Sequence, residues 1–221
     1  NDAENGKNGF VNCFIPYWEI PGRDEKWASE QKAILGDLKY NQEVLCKFLG
    51  SSLTLINADV ISRMSYVPPI KSITGLDVYE APIRADKHHS YVLVADTAEG
   101  VGGDYSAFSV IDISEVPYKL VAKYRKNDIS PLLYPNIIHH VATQFNQAFV
   151  LIEINSSEQV PYILHNELEY ENLMFVSRSG GMQTITGGFG GGTTQLGVNT
   201  DKKVKRTGCH NFKSLVEEIK N

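Results

Sequence analysis

The stretch SYVLVADTAEGVGGDYSAFSVIDI, residues 90–113, decides the fold. Residues 91–95 are apolar and rich in β-branched side chains, the pattern of a strand buried on both faces. Asp96 ends that run. Gly100, Gly102 and Gly103 then mark a turn over residues 96–104, and an apolar pattern resumes at 107–113 as a second strand. A third strand is expected at 118–124, after a hairpin turn over 114–117.

Working outward, Ser130-Pro131 has the form of a helix cap followed by proline at the first helical position. Leu133, Ile137, Val141 and Phe145 follow at a spacing of four and predict one apolar helical face. Residues 149–153 predict another buried strand. Ser156 or Ser157 caps a second helix whose inward residues are Val160, Leu164 and Leu168, and residues 173–176 predict a fifth strand. The order is β-β-β-α-β-α-β, an antiparallel meander followed by two helical crossovers that return strands parallel. This is the order of a ribonuclease-H-like mixed α/β sheet flanked by helices.

The rest of the chain is organised around that segment. Of 221 residues, 42% are hydrophobic and 21% charged, which excludes wholesale disorder. No apolar run approaches the ~18 residues of a membrane helix, so no membrane role is expected. The chain opens NDAENG with neither an initiator Met nor a charged-then-apolar leader, and so reads as a piece of something longer. Cys13, Cys46 and Cys209 are widely spaced, with no C-x-x-C pair, and read as reduced thiols.

Asn1–Asn8 is polar and reads as frayed or linker-like. Residues 24–49 place Trp27, Ile34, Leu38, Val44, Leu45 and Phe48 at helical spacing until Gly50-Ser51-Ser52 stops the pattern. Residues 63–90 carry Pro68, Pro69 and Pro82 and read as a connector with one strand, which puts a domain boundary near residue 63. Residues 179–200 hold eight glycines and read as a flexible loop or glycine-rich hairpin outside the core. Lys202, Lys203, Lys205 and Arg206 then lead into a helix predicted over 212–219.

Asp96 and Glu153 are the strongest candidates for chemistry. Each is a carboxylate at the C-terminal end of an otherwise apolar strand, on the same face as Val94 and Val92 or as Leu151 and Phe149. If the two strands lie side by side and parallel, both acids meet at one edge of the sheet, where open α/β sheets bind ligands. Two such carboxylates repel unless a cation joins them, and oxygen-only ligands favour Mg²⁺ or Mn²⁺ over zinc. Asp104 and Glu99 lie in the turn after Asp96 and are candidates to hold or position metal. Asn155 either orients a carboxylate or caps the next helix.

Other motifs carry less. The run GGFGGG at 187–192 lacks the Lys-Ser/Thr of a phosphate loop. His88-His89 and His139-His140 point apart as neighbours in sequence, so neither pair makes a two-ligand site. The net charge of −5 argues against a non-specific nucleic-acid coat. Yet residues 201–221 set six lysines or arginines against three acids, so Lys202, Lys203, Lys205 and Arg206 are expected to flank the acidic site and hold DNA phosphates.

VADTAEGVGGDYSAF at 94–108, with IDI at 111–113, resembles the first nuclease motif of large terminase subunits from T-even-type tailed bacteriophages. The likeness continues at 152–156 (IEINS), 168–171 (LEYE), 205–209 (KRTGC) and the helix with Leu215 and Glu217. Upstream, Gln42-Glu43 and residues 48–52 resemble the end of that family's ATPase motor. The resemblance implies residues 1–62 as the end of a motor domain with its linker and 63–221 as a ribonuclease-H-like nuclease domain.

It further implies a metal-dependent endonuclease that cuts concatemeric double-stranded viral DNA at the start and end of packaging. Asp96 matches the family's first acid and Glu153 its second. The third, an aspartate of an Asp-Asp pair near the family's C-terminus, has no counterpart before Asn221, and Glu217 and Glu218 are poor substitutes. The implied partners are double-stranded DNA, the portal protein, the small terminase subunit and the ATPase domain of the same full-length protein. The implied place of action is the host-cell cytoplasm at the prohead portal. No ATPase activity is expected from this chain. The missing acid leaves a second reading open, a non-catalytic DNA-binding and docking module of the motor.

Overall fold

The computed structural model describes residues 11, 13, 15–46, 54–83, 89–179, 182–186 and 193–218. Asn1–Asn8, Phe48, Gly50-Ser51-Ser52, His88 and the glycine run 187–192 lie outside the described residues. The chain divides into two compact units, Asn1–Met64 and Ser65–Asn221.

In the first unit, helix α1 (Glu25–Glu43) starts at Asp24, whose Oδ1 accepts the backbone N–H of Trp27 at 2.8 Å. Tyr17 packs against both Trp18 and Trp27, and the Arg23 guanidinium lies 4.8 Å over the Trp27 ring. The helical spacing expected to 49 ends at 43. Gly36 (φ 74°) already breaks the helical path inside α1, and Cys46 leaves it at φ 49°. A short helix α2 (Ala58–Arg63) closes the unit.

The second unit is built on a six-stranded mixed sheet. Its strands are β1 (Lys71–Ile73), β2 (Leu76–Val78), β3 (Tyr91–Asp96), β4 (Ser106–Asp112), β5 (Lys119–Lys126) and β6 (Phe149–Ile152), in spatial order β1-β2-β5-β4-β3-β6. All neighbours are antiparallel except β3 and β6, which are parallel. The meander β3-β4-β5 and the parallel return of β6 match the sequence reading. The hairpin β1-β2 extends the sheet within the segment read as a connector. Parallel neighbours need a long crossover, and helix α3 (Tyr134–Gln144) supplies it.

Helix α3 and the helix α4 (Gln159–Tyr162) cover one face of this sheet. Tyr91, Leu93 and Ala95 of β3, with Phe108, Val110, Ala122, Tyr124, Val150 and Ile152, pack under them. The opposite face stays open: Val94 is 40% exposed and Phe149 46%. The expectation that residues 91–95 are buried on both faces is therefore corrected. Their second face is apolar yet lies outside the helical layer.

Helix α3 is corrected too. The Ser130 hydroxyl accepts the N–H of Leu132 in a turn, the helix proper begins at Tyr134, and the proline at its start is Pro135. Its buried face is Tyr134, Ile138, Val141 and Ala142, while Leu133 is exposed. Of the four predicted positions, Val141 and Phe145 are buried and Ile137 packs partly buried against the core, so Leu133 alone falls outside the inward face. After β6, Ser157 Oγ accepts the N–H of Gln159, and a π-helical turn (Ile163–Glu167) continues α4. Val160 and Leu164 are buried as predicted.

Leu173 makes a single parallel bridge to Val150, and the chain then enters a second sheet. That sheet holds β7 (Phe175–Ser179), β8 (Met182–Thr186) and β9 (Thr193–Leu196), in order β8-β7-β9, all antiparallel. The segment read as a loop or hairpin thus contributes two strands to a three-stranded sheet. The final helix α5 (Lys202–Glu218) begins ten residues earlier than the predicted 212. Lys202, Lys203, Lys205 and Arg206 therefore stand on its first turns, not on a loop.

Candidate functional site

Backbone pairing brings Asp96 and Glu153 together. Strands β3 and β6 are in register from Val92 opposite Phe149 to Ala95 opposite Ile152, and the Glu153 N–H donates to the Ala95 carbonyl at 2.8 Å. One further step sets Asp96 opposite Glu153 at the C-terminal ends of the parallel pair. Adjacent strands lie ~4.8 Å apart, so the two side chains leave neighbouring positions. Both point to the open face, since Ala95 and Ile152 point into the core.

Their surroundings fix these positions. The Tyr134 hydroxyl, buried in the core, donates to the Asp96 backbone carbonyl at 3.4 Å. Burial holds that phenol well above its usual pKa, so it stays a neutral donor. Thr97, itself buried, donates to the Glu153 carbonyl at 3.4 Å. Val198 pairs with Glu153 from the other side through parallel backbone bonds. Between them Gly197 takes φ +82°, and a Cβ there would meet the Ile152 carbonyl at 2.5 Å.

The turn 97–104 lines one side of the site. Ser106 Oγ bonds both the N–H and the carbonyl of Ala98, and Asn127 clasps Gly102 through backbone and side chain. Gly100 (φ +74°) crosses Ile129 so closely that a Cβ would lie 2.3 Å from its carbonyl oxygen. Asp96, Glu99, Asp104, Tyr105, Glu153 and Asn155 line an open depression of about 580 Å³. Asp104 faces the same depression as the acid pair. Among the described residues, no three carboxylates, histidines or cysteines gather closely enough to surround one ion.

Asn155 takes one role read from sequence, orienting a carboxylate, and does so through its backbone. Its backbone N–H donates to Glu153 Oε2 at 3.2 Å, while its side-chain amide exchanges two bonds with the Thr200 backbone. It ties the exit of β6 to the entrance of α5. The four basic residues divide. Lys205 lines a depression with Asp96 and Glu153, whereas Lys203 lines a separate groove with Val176 and Ile185. On a helix these two residues lie roughly 160° apart around the axis. Asp201 Oδ1 caps α5 by accepting the N–H groups of Lys203 and Val204. Lys202 and Arg206 are exposed.

Of the adjacent histidines, three have local partners: His89 lies 4.0 Å from Asp112, His139 stands edge-on to Tyr170, and His140 bonds Gln144. Tyr105 and Thr97 escaped the sequence reading. The alternation of β4 placed Tyr105 on the site side, beside Ala107; nothing in the sequence marked Thr97.

Comparison with known proteins follows this geometry. Residues 93–220 match the family model described as the terminase RNaseH-like domain. Among solved structures, the large terminase nuclease of thermophilic phage G20c is similar at 16% identity with a TM-score of 0.48. The same protein with bound magnesium gives 17% and 0.49, and the Thermus phage P74-26 large terminase nuclease domain 18% and 0.46. Each match covers 69% of this chain, and it spans 66%, 65% and 63% of those chains in turn, less than two thirds of their length. The family match is to large terminases at large and does not single out the T-even-type branch. By the extent of that match and by its six-stranded mixed sheet, the chain belongs to the terminase RNaseH-like domain family.

Proposed function

We propose that the chain is the nuclease part of a viral DNA-packaging motor, cutting concatemeric double-stranded DNA where packaging begins and ends. The observation that carries this reading is the register of β3 and β6, which puts Asp96 and Glu153 opposite each other on an open face. The donor set suits Mg²⁺ or Mn²⁺, because such ions bind through one or two carboxylates, keep several waters and take substrate phosphate as a further ligand. Asp96 and Glu153 would hold the ion, which when bound polarises a phosphoryl oxygen and acidifies water.

The protein's own residues do the positioning. Asn155 N–H fixes one oxygen of Glu153, a residue that lines the depression. Tyr134 and Thr97 anchor the two strand ends, and Asp104, which lines the same depression, would bind water there. Lys205 supplies positive charge beside the acids, with Lys202 and Arg206 farther along the duplex and Lys203 toward the second sheet. Within the motor the partners would be the ATPase domain of the same protein, the portal protein and the small terminase subunit. The place would be the host-cell cytoplasm, at the prohead portal. No helix among the described residues is long and apolar enough to cross a membrane.

The test is supercoiled-plasmid cleavage by this chain with Mg²⁺ or Mn²⁺, against its Asp96→Asn variant. Losing a preorganised charge at the reacting phosphate costs on the order of 10²–10³ in rate. Asp96→Asn should fold normally and lose cleavage by at least that factor. Metal-dependent cutting retained in that variant would overturn the assignment. DNA binding without cutting by the unmodified chain would favour the docking-module reading.

A further inference from the structure

The open sheet face carries a cation that neither the acid pair nor α5 accounts for. Asp96 lies opposite Ala107, and Ala107 opposite Arg125, so Arg125 stands in the same transverse row as Asp96, two strands across. That is about 10 Å between backbones, near enough for one strand of DNA to touch both.

Strand β5 has four basic side chains. Lys119 pairs with Glu80 at 3.6 Å, Lys123 with Asp77 at 3.5 Å and Lys126 with Asp128 at 3.2 Å. Arg125 has no carboxylate partner among the described residues. Its guanidinium carbon lies instead 3.8 Å over the centroid of the Tyr105 ring. Tyr105 in turn lines the depression with Asp96, Asp104 and Glu153.

In a chain of net charge −5, an exposed cation is ordinarily drawn to a nearby acid, as its three neighbours on β5 are. Arg125 is held by an aromatic face, which fixes the plane of the guanidinium and leaves its N–H edges free. A stacked guanidinium keeps its full charge, and its planar donors match two oxygens of a phosphate group. Holding the fork in place beforehand reduces the side-chain entropy lost on binding.

We propose that Arg125, steadied by Tyr105, grips a backbone phosphate of duplex DNA adjacent to the one at Asp96 and Glu153. The proposal rests on the nuclease reading for the identity of its ligand. Arg125 is a binding residue in this scheme and Tyr105 a positioning residue.

The test is equilibrium binding of two unrelated fluorescent DNA duplexes across a salt series, without divalent metal. The unmodified chain is compared with Arg125→Ala, Arg125→Lys and Tyr105→Ala. Removing one phosphate contact lowers the slope of log K against log salt by about 0.9. Arg125→Ala should show that loss and weaken both duplexes alike. Arg125→Lys should restore the slope while binding less tightly than arginine. Tyr105→Ala should keep the slope and lose affinity, an effect that a merely structural role for the ring would not separate from charge.

Affinity and slope in Arg125→Ala equal to those of the unmodified chain would overturn the proposal, as would an unmodified chain that does not bind DNA. Should Arg125→Ala lose its increment while the unmodified chain never cuts, the phosphate contact stands and the nuclease reading falls. Should Asp96→Asn abolish cutting while Arg125→Ala binds normally, the reverse holds. Arg125→Lys keeps a long cationic side chain at an exposed strand position, so the comparison survives if the alanine variant folds poorly.

Discussion

Strands β3 and β6 and helix α5 both carry residues proposed to meet DNA, and they are built differently. The acids leave strands whose inward neighbours Leu93, Ala95, Val150 and Ile152 are wholly buried and whose backbones bond each other and Val198. The basic residues leave a helix whose apolar side chains Phe212 and Leu215 are about half exposed. On the strands, position follows from packing that many residues determine together. On the helix, it follows from where the first turn begins and from the 100° step between successive residues. A reactive pair needs the first kind of support, because small displacements of reacting groups are costly; a phosphate contact tolerates the second.

That contrast can be tested by perturbing each side. The largest effect on stability is expected at the strands: Ile152→Ala removes a fully buried side chain beneath Glu153 and should cost about 2–5 kcal/mol in urea unfolding. A cost below about 1 kcal/mol would mean that the strand ends are not held by the core.

Gly100→Ala should come next, at about 1–3 kcal/mol, since its positive φ and the Ile129 carbonyl leave no room for a methyl group. Any divalent-dependent cleavage should fall with it, because the turn it shapes lines the acidic depression. Unchanged stability and cleavage together would show that the turn adjusts freely.

The smallest change in stability belongs to the basic side chains of α5. Replacing Lys202, Lys203, Lys205 and Arg206 by Ala should shift stability by less than ~0.5 kcal/mol each. The same set should lower the salt slope of DNA binding by up to four contacts. Among the single changes, Lys205→Ala should weigh more than Lys203→Ala, because only Lys205 shares a depression with the acid pair. Equal effects of the two would mean that helix phase does not sort them.

Much of the architecture could be read from residues 90–154. Apolar, β-branched runs ending in Asp96 and Glu153 are governed by local rules: alternation, strand propensity and the glycine turn between them. Their parallel pairing followed from the helical crossover between them. Helix α3 was legible as an element, with most of its inward face (Val141, Phe145 and in part Ile137), but its start was not. A turn at Ser130 precedes the helix and Pro135 stands in its first turn, so Leu133 lies before the helix and outside its inward face.

The sequence by itself determined the two carboxylates and the strands that bear them, because each depends on neighbours within a few residues. The places of β1 and β2 in the sheet came from the tertiary structure. Only the tertiary structure decided that one sheet face lies open, since that depends on which side the crossover helices pack. It alone separated Lys203 from Lys205, since helix phase depends on the Asp201 cap. It alone set Arg125 over Tyr105, twenty positions away, because cross-strand register is fixed by packing the whole sheet.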